Sequence, residues 1–204
     1  NIYLMAAAFA LVTVSLALYF IRGPEKISFH IGKSYDDVAL DSTFPVKDET
    51  AIYPGEPPHP SSTWISTPVI ITFDDKEHGF TLPATKFGAI GWSDFKAITL
   101  TTSPMLETLP FEQAVLLLGE LQQKFKQVGW NPEPVEGNDW LKVETKEEKD
   151  RLQAKLFDQL DGVLLLIPHK YSLLLHIKCY VRCDERNPET AKYLIDIGLG
   201  KDHF

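Results

Sequence analysis

The first 21 residues constrain this chain most, because they form one apolar run, NIYLMAAAFALVTVSLALYFI, without a charged side chain. A helix rises about 1.5 Å per residue, so a run of this length can cross a hydrocarbon core about 30 Å thick. Charge returns at Arg22, and the pair Gly23-Pro24 then breaks the helical pattern. The sequence therefore predicts a transmembrane anchor over residues 1–22 and a single water-soluble domain over residues 23–204.

Two other interpretations of the apolar run stay open. Ser15-Leu16-Ala17 has the small-x-small pattern of a secretory cleavage site, although the apolar core is long for a signal peptide. The run can also be a buried core helix, but a helix without a polar face is unusual in a small domain. Basic residues at Arg22, Lys26 and Lys33 follow the run, and the positive-inside bias alone would place them in the cytoplasm.

The composition bounds which partners the domain can bind. The 204 residues are 44% hydrophobic and 24% charged, as in ordinary folded proteins, and the formal net charge is -8. An acidic chain repels the phosphates of nucleic acids and of anionic lipid head groups, whereas it suits a basic protein surface. The sequence predicts a protein partner and no nucleic acid.

The only cysteines, Cys179 and Cys183, allow a disulfide under one condition. On a continuous strand their Cα atoms would lie about 13 Å apart, which is too far for a bridge. A turn or a helix between them would bring them close enough, and two buried free thiols are the alternative. No second Cys/His pair has matching spacing, so the sequence predicts no metal site.

Apolar periodicity and breaker residues divide the rest of the chain into elements. The predicted strands are 27–31, 68–73, 80–82, 95–102, 163–167, 171–181 and 193–199; the predicted helices are 34–40, 110–128 and 146–161; 87–92 is a bent strand or a loop, and 43–63 is a Pro-rich surface loop. Pro110 and Gly129 mark the ends of the strongest helix, and Thr145 with Glu148 forms a capping box before the last helix, which Gly162 ends. This order predicts an α+β fold: an antiparallel sheet with two main helices packed on one face.

The sequence contains no motif of established catalytic chemistry. Gly-x-Ser-x-Gly, His-Glu-x-x-His and Gly-Lys-Ser/Thr are all absent, and Gly198-Leu-Gly200 precedes no helix. The turn 74–79 combines acids with His78, a mixture that can bind a metal or supply a base, but solvated turns often have this composition. His169 and His176 can face each other across a hairpin, although a core or surface role is the favoured interpretation. We predict no catalytic residue and no cofactor.

The best candidates for partner contacts are two loops. The turn 74–79 is short and acidic, and the loop 130–140 combines two tryptophans with three acids, which resembles the aromatic anchors and polar rims of interfaces. The alternative is that the tryptophans cap the core under the loops. The candidate contact residues are Asp74, Asp75, Glu77, Trp130, Glu133, Glu136, Asp139 and Trp140.

The run FKAITLTTSPMLETLPFEQA at 95–114, continuing through Leu121-Gln-Gln to Val128-Gly-Trp-Asn-Pro132, resembles periplasmic immunity proteins of type VI secretion systems. The resemblance implies an N-terminal membrane or lipid anchor, a small α+β domain, and a function in blocking a cognate toxic effector, often by filling its active-site cleft. No lipobox cysteine lies near the anchor, so a lipoprotein is not supported. The resemblance transfers no site residue, because binding surfaces vary from pair to pair.

Together these features predict a single-pass protein of the bacterial inner membrane with its domain in the periplasm. The expected function is that of a non-enzymatic binding protein that neutralises an envelope-targeting effector by occluding it. Two alternatives remain: an accessory subunit of a membrane complex, and an envelope enzyme with a dispersed acid–histidine site.

Overall fold

The computed structural model describes residues 23–56 and 59–202 and confirms the α+β class, with a mainly antiparallel sheet and three helices in these residues. The predicted anchor over residues 1–22 lies outside them. None of the helices that are described has the length and apolar character needed to cross a membrane.

Three helices and eleven strands follow one another in the described residues. The helices are α1 (Tyr35–Asp41), α2 (Phe111–Gln127) and α3 (Lys146–Leu156). The strands are β1 (Glu25–Phe29), β2 (Thr50–Ile52), β3 (Pro60–Ile65), β4 (Val69–Phe73), β5 (Phe80–Thr81), β6 (Gly88–Ser93), β7 (Lys96–Thr102), β8 (Asn131–Pro132), β9 (Asp161–Ile167), β10 (Tyr171–Val181) and β11 (Lys192–Lys201).

The strands form a large sheet and a small one. The large sheet has the order β2-β3-β6-β7-β11-β10-β9-β8 and is antiparallel throughout. In the small sheet, β1-β4-β5, strands β1 and β4 run parallel, which the antiparallel prediction did not include. A parallel pair needs a long crossover, and α1 with the β2–β3 hairpin supplies it.

The core lies on one face of the large sheet. Tyr193 on β11 shows this, because its ring packs 5.2 Å from the Phe111 ring of α2 and its hydroxyl lies 3.3 Å from Gln153 Nε2 of α3. The small sheet covers the same face, since Phe73 packs against Tyr171 with ring centroids 5.1 Å apart. Buried residues alternate with less buried ones along β9 and β10, so the opposite face of the sheet is not covered by the core.

The local helix signals of the sequence are confirmed. Ser34 Oγ accepts a hydrogen bond from the amide of Asp37, and Thr145 and Glu148 form the reciprocal capping box at α3. After α2, Gly129 adopts a left-handed φ of +87°, the conformation that ends many helices.

The prediction of a loop over 43–63 is wrong in part, because β2 and β3 form inside it. Pro60 is the first residue of β3, where a missing amide hydrogen is tolerated, and β2 is an edge strand of three residues. Prolines exclude strand interiors only, and β2 and β3 contain none beyond the first residue of β3. Residues 57–58 lie outside the described part of the chain.

The last helix is shorter than predicted, and Gly162 does not end it. α3 stops at Leu156, and Gly162 belongs to β9 opposite His176. A Cβ at Gly162 would lie 2.7 Å from His176 Cβ and 2.8 Å from the Leu175 carbonyl oxygen. Glycine is therefore required here for the close approach of β9 and β10.

Candidate interaction site

The turn 74–79 joins β4 to β5 and is held by its own backbone. Asp75 Oδ1 accepts hydrogen bonds from the amides of Glu77 at 3.0 Å and His78 at 2.9 Å. Gly79 closes the turn, because a Cβ there would meet the carbonyl oxygens of Asp75 and Phe73. The acids of this turn are therefore presented in a fixed arrangement.

Asp74 is enclosed by donors from β1 and the residues that follow it. Ser28 Oγ donates to its carboxylate at 2.7 Å, and His30 Nδ1 lies 2.6 Å away. The buried Lys33 ammonium contacts the same carboxylate and lies 2.8 Å from Asp41. Burial of Asp74 works against its charge, but the hydrogen bonds outweigh burial and hold the pKa of Asp74 below its usual value.

The pairing of His30 with Asp74 was not predicted from the sequence. Each residue directly follows a strand, and β1 and β4 are parallel neighbours, so both side chains emerge at the carboxyl edge of the small sheet. A carboxylate that orients an imidazole is one part of a general-base site. Here the same carboxylate is bound by Lys33, and in the described ranges Asp74 is the only hydrogen-bond partner of the His30 ring.

The other acids of the turn are engaged as well. Tyr171 donates to Asp75 Oδ2 at 2.9 Å, and burial together with the Asp75 carboxylate raises the pKa of Tyr171 to about 12. Lys170 Nζ lies 3.2 Å from Glu77. These residues border a cavity of about 370 Å³, in which Asp74, Glu77 and Lys170 already form ion pairs.

Trp130 is a core residue, which overturns its prediction as a contact residue. Its side chain is fully buried, its ring stacks 6.1 Å from Tyr171, and its Nε1 donates to the carbonyl oxygen of His78 at 3.1 Å. The His78 imidazole in turn lies 2.8 Å from the Val128 carbonyl oxygen. The start of the loop 130–140 is thereby fixed against the turn 74–79, but no aromatic surface is exposed at this point.

The far end of the same loop lies elsewhere, beside α2 and α3. Trp140 is half-buried, with Lys126 Nζ 4.6 Å from its ring centroid. Of the three acids between the tryptophans, Glu136 and Asp139 are exposed, and Glu133 is partly buried with its amide bonded to the carbonyl of Leu164. Of the predicted contact residues, Asp74, Asp75 and Glu77 lie together in one place, and Asp139 and Trp140 lie together in another.

Cys179 and Cys183 are joined by a disulfide, with their Cα atoms 5.8 Å apart. Strand β10 ends at Val181, and Arg182 has a left-handed φ of 55°. The chain therefore turns between the two cysteines, as bridge formation requires.

A second acid–histidine cluster lies on the face of the large sheet opposite the core. The carboxylate of Asp196 on β11 is contacted by Ser103 Oγ, by Lys178 Nζ at 2.7 Å and by His176 Nε2 at 3.2 Å. Burial opposes the charge of Asp196, but these donors outweigh it and hold the pKa of this carboxyl well below its usual range. His169 lies in the turn before β10, and Gly162 rather than His169 lies opposite His176, so the less favoured of the two interpretations, a facing pair, is not formed.

Next to this cluster the sheet presents a broad exposed surface, which we call the open face. It is defined by one row of register neighbours that crosses six strands: Trp64, Ala89, Thr101, Gly198, Leu174 and Leu164. Trp64 is 54% exposed and Leu174 is 43% exposed. Small residues form the centre of the open face, and larger apolar residues lie towards both sides of it.

Two further exposed side chains adjoin the open face. Tyr53 follows β2, and its hydroxyl lies 3.3 Å from Trp64 Nε1. Ile98 is the extra residue of a bulge in β7, and its Cγ1 lies 3.8 Å from where a Cβ of Gly91 would be. This surface was not predicted from the sequence; in the structure, Trp64 and Leu174 occupy the less buried positions of strands whose burial alternates.

Comparisons with known proteins return no matching family model, no matching curated protein and no matching solved structure.

Proposed function

We propose that the chain is a membrane-anchored, non-enzymatic binding protein that neutralises a toxic, envelope-targeting effector by occluding it. The observation that carries the proposal is the open face, with Trp64 and Leu174 exposed on one side of an otherwise well-packed sheet. Exposed aromatic side chains surrounded by polar ones are the usual anchors of protein interfaces.

The shape of the open face suits a protein better than a small molecule. Its central row crosses six strands, and neighbouring strands lie about 4.8 Å apart, so the row spans roughly 24 Å. Ala89 and Gly198 leave the backbone close to the surface between Trp64 and Leu174, so that a partner can approach the sheet. Standard interfaces bury about 800 Å² on each partner, a patch of comparable breadth.

The charge arrangement supports binding rather than catalysis. Each acid–histidine cluster also contains a lysine on the same carboxylate, Lys33 at Asp74 and Lys178 at Asp196. A carboxylate that is neutralised by a lysine orients a histidine less strongly than a free one, because it shares its charge between two cations. Both clusters join neighbouring strands and are best explained as ties that hold the strands together.

The disulfide supports the proposed location in the periplasm. Disulfides persist in oxidising compartments and are rare where cytosolic thiols keep proteins reduced. Cys179 and Cys183 are bonded to each other, which fits an exported domain behind an anchor at residues 1–22.

The test is to capture the partner with the anchored full chain and to measure its affinity for variants. Trp64→Ala should weaken binding at least about 30-fold, which corresponds to about 2 kcal/mol for an interface anchor. Leu116→Ala is the matched control, because Leu116 is 65% exposed but lies on α2, on the other side of the sheet. Both variants should keep the melting temperature of the wild type.

The same variants separate the proposal from its alternatives. If the captured protein is toxic in the envelope and Trp64→Ala abolishes protection while Leu116→Ala does not, the immunity function is supported. If the captured protein is a non-toxic component of a membrane complex, the chain is an accessory subunit. Hydrolytic activity that survives repurification and is lost on His30→Ala or His176→Ala would overturn the non-enzymatic assignment.

A further inference from the structure

A groove on the helix side of the molecule lies between the segment 139–142 and α3. Its volume is about 420 Å³, and it is bordered at one end by Asp161 and Gly162 at the start of β9. Leu141 and the buried Leu152 supply apolar surface, and the half-buried Trp140 lines it as well. The groove therefore combines three apolar side chains with charged ones, in a volume suited to a small organic molecule.

The segment that contains Trp140 and Leu141 forms one wall of the groove and is fixed by contacts with α2. Gln122 on α2 makes two hydrogen bonds to the backbone of Leu141, with its Nε2 donating to the carbonyl at 3.0 Å and its Oε1 accepting from the amide at 2.7 Å. Lys126 lies over the Trp140 ring. A wall fixed in this way does not have to be ordered when a ligand binds, which reduces the entropic cost of binding.

The three carboxylates that line the groove already have donors within the chain. Glu148 accepts from the amides of Glu144 and Thr145, each at 3.0 Å. Asp161 lies 2.8 Å from Lys155 Nζ, and Asp139 accepts from the amide of Trp140 at 2.7 Å.

Two cations that line the groove, unlike these carboxylates, have no partner of opposite charge in the described residues. Lys142 and Arg151 both line it, and no carboxylate among residues 23–56 and 59–202 lies within ion-pair distance of either one. Their charges reach Glu148, whose pKa is lowered first by the hydrogen bond from Thr145 and further by these two cations. Lys142 and Arg151 are both exposed, so they place two accessible positive charges beside the apolar side chains of the groove.

We infer that this groove binds a small organic anion in which a carboxylate is attached to an apolar or aromatic group. Arg151 presents a planar fork of donors that matches a carboxylate, and Lys142 adds a second positive charge. Trp140 and Leu141 would contact the apolar part. The inference does not depend on the proposed function, because the groove lies on the core side of the sheet and the open face on the other.

The experiment uses the full chain and two matched probes, N-acetyl-phenylalanine and its neutral amide. Both carry the same ring, and only the first carries a carboxylate. Titration calorimetry should show that the carboxylate binds at least tenfold more tightly than the amide. Inorganic phosphate, as a simple anion, should bind more weakly than the aromatic carboxylate.

Variants then assign the binding to the groove. Arg151→Gln should weaken binding of the carboxylate at least fivefold and bring it close to the amide, whereas Arg151→Lys should retain part of the preference. Lys76→Gln is the control, because Lys76 is an exposed cation that lines the separate cavity near Asp74. Melting temperatures equal to that of the wild type exclude loss of folding as the cause.

Three outcomes in which a probe binds would overturn the inference. They are equal binding of carboxylate and amide, phosphate binding as tight as the aromatic carboxylate, and a loss of affinity in Lys76→Gln as large as that in Arg151→Gln. Absence of binding by both probes would also overturn it. Failure of any of these tests would leave the function proposed for the open face unaffected, since that function is tested with Trp64→Ala.

Discussion

Burial separates the tryptophans that the sequence cannot distinguish. Trp130 and Trp140 bound the same loop and both look like exposed aromatic anchors, yet Trp130 is fully buried and Trp140 only half-buried. The difference arises from distant residues, because His78 and Tyr171 close over Trp130. Such contacts carry no local pattern. The exposure of Trp64 carries none either, because the polar Ser61 and Thr63 are buried in the same strand.

Replacement of Trp130 tests its role in the core. Trp130→Ala should lower the free energy of unfolding by about 3–5 kcal/mol, because it removes a large buried side chain and leaves a cavity. Urea denaturation of the protein measures the change. Trp64→Ala removes the same side chain from an exposed position and should cost less than about 1 kcal/mol. Equal losses in the two variants would contradict the assigned burial.

Asp74 makes a pH-dependent contribution to stability with a defined sign. Its pKa is lowered in the folded state, so the stabilisation is fully present above the unfolded value, about 3.9, and is lost as the pH falls through the folded value. Asp74→Asn should therefore cost about 1–3 kcal/mol at neutral pH, where Lys33 loses a buried partner, and progressively less in acid.

Denaturation curves between neutral pH and strong acid measure this difference. Asp150→Asn is the control, since Asp150 forms an exposed pair with Lys146 one helical turn away and should change stability by less than about 0.5 kcal/mol. A cost for Asp74→Asn that stayed constant from neutral pH into acid would argue against a charge-dependent role.

The sequence predicted well those elements whose ends and buried face are marked by residues within the element or directly next to it. Capping residues, Gly129 and the apolar stripe of α2 act over a few residues, so α2 and the start of α3 were predicted nearly to the residue. The parallel pair β1–β4 and the β2–β3 hairpin depend on which strands become neighbours, and no local pattern reports this. The pairing of His30 with Asp74 was missed for the same reason.

The stripe of α2 provides the prediction at this scale. Leu118 lies in the middle of the buried stripe, and Leu118→Ala should cost about 2–5 kcal/mol, as truncation of a buried leucine does. Leu116→Ala, on the exposed side of the same helix, should cost only a few tenths of that, mainly because no cavity forms. Urea denaturation that showed less than about 1 kcal/mol for Leu118→Ala would contradict the assigned face.

At the scale of the whole molecule, the disulfide supports our proposal that the domain works outside the cytoplasm. Alkaline phosphatase fused after Phe204 should be active in cells, because it requires an oxidising compartment, and a cytoplasmic reporter at the same position should be inactive. The basic residues after the apolar run favour the opposite orientation, so the experiment decides between two sequence signals. Activity of the cytoplasmic reporter alone would refute the predicted topology.

The parallel pairing of β1 with β4 also has a mechanical consequence. Tension applied to the chain at Gly23 would pull β1 lengthwise along β4, so the five register pairs from Glu25 to Phe29 would be loaded together rather than one after another. On its other edge β1 is held by side chains of Ser42 and Thr43, which accept hydrogen bonds from the amides of Ser28 and Lys26. Forced unfolding is governed by the rate of unfolding rather than by equilibrium stability. A domain loaded in shear at this strand would therefore keep its fold while it is pulled from one side and held by a partner on the other.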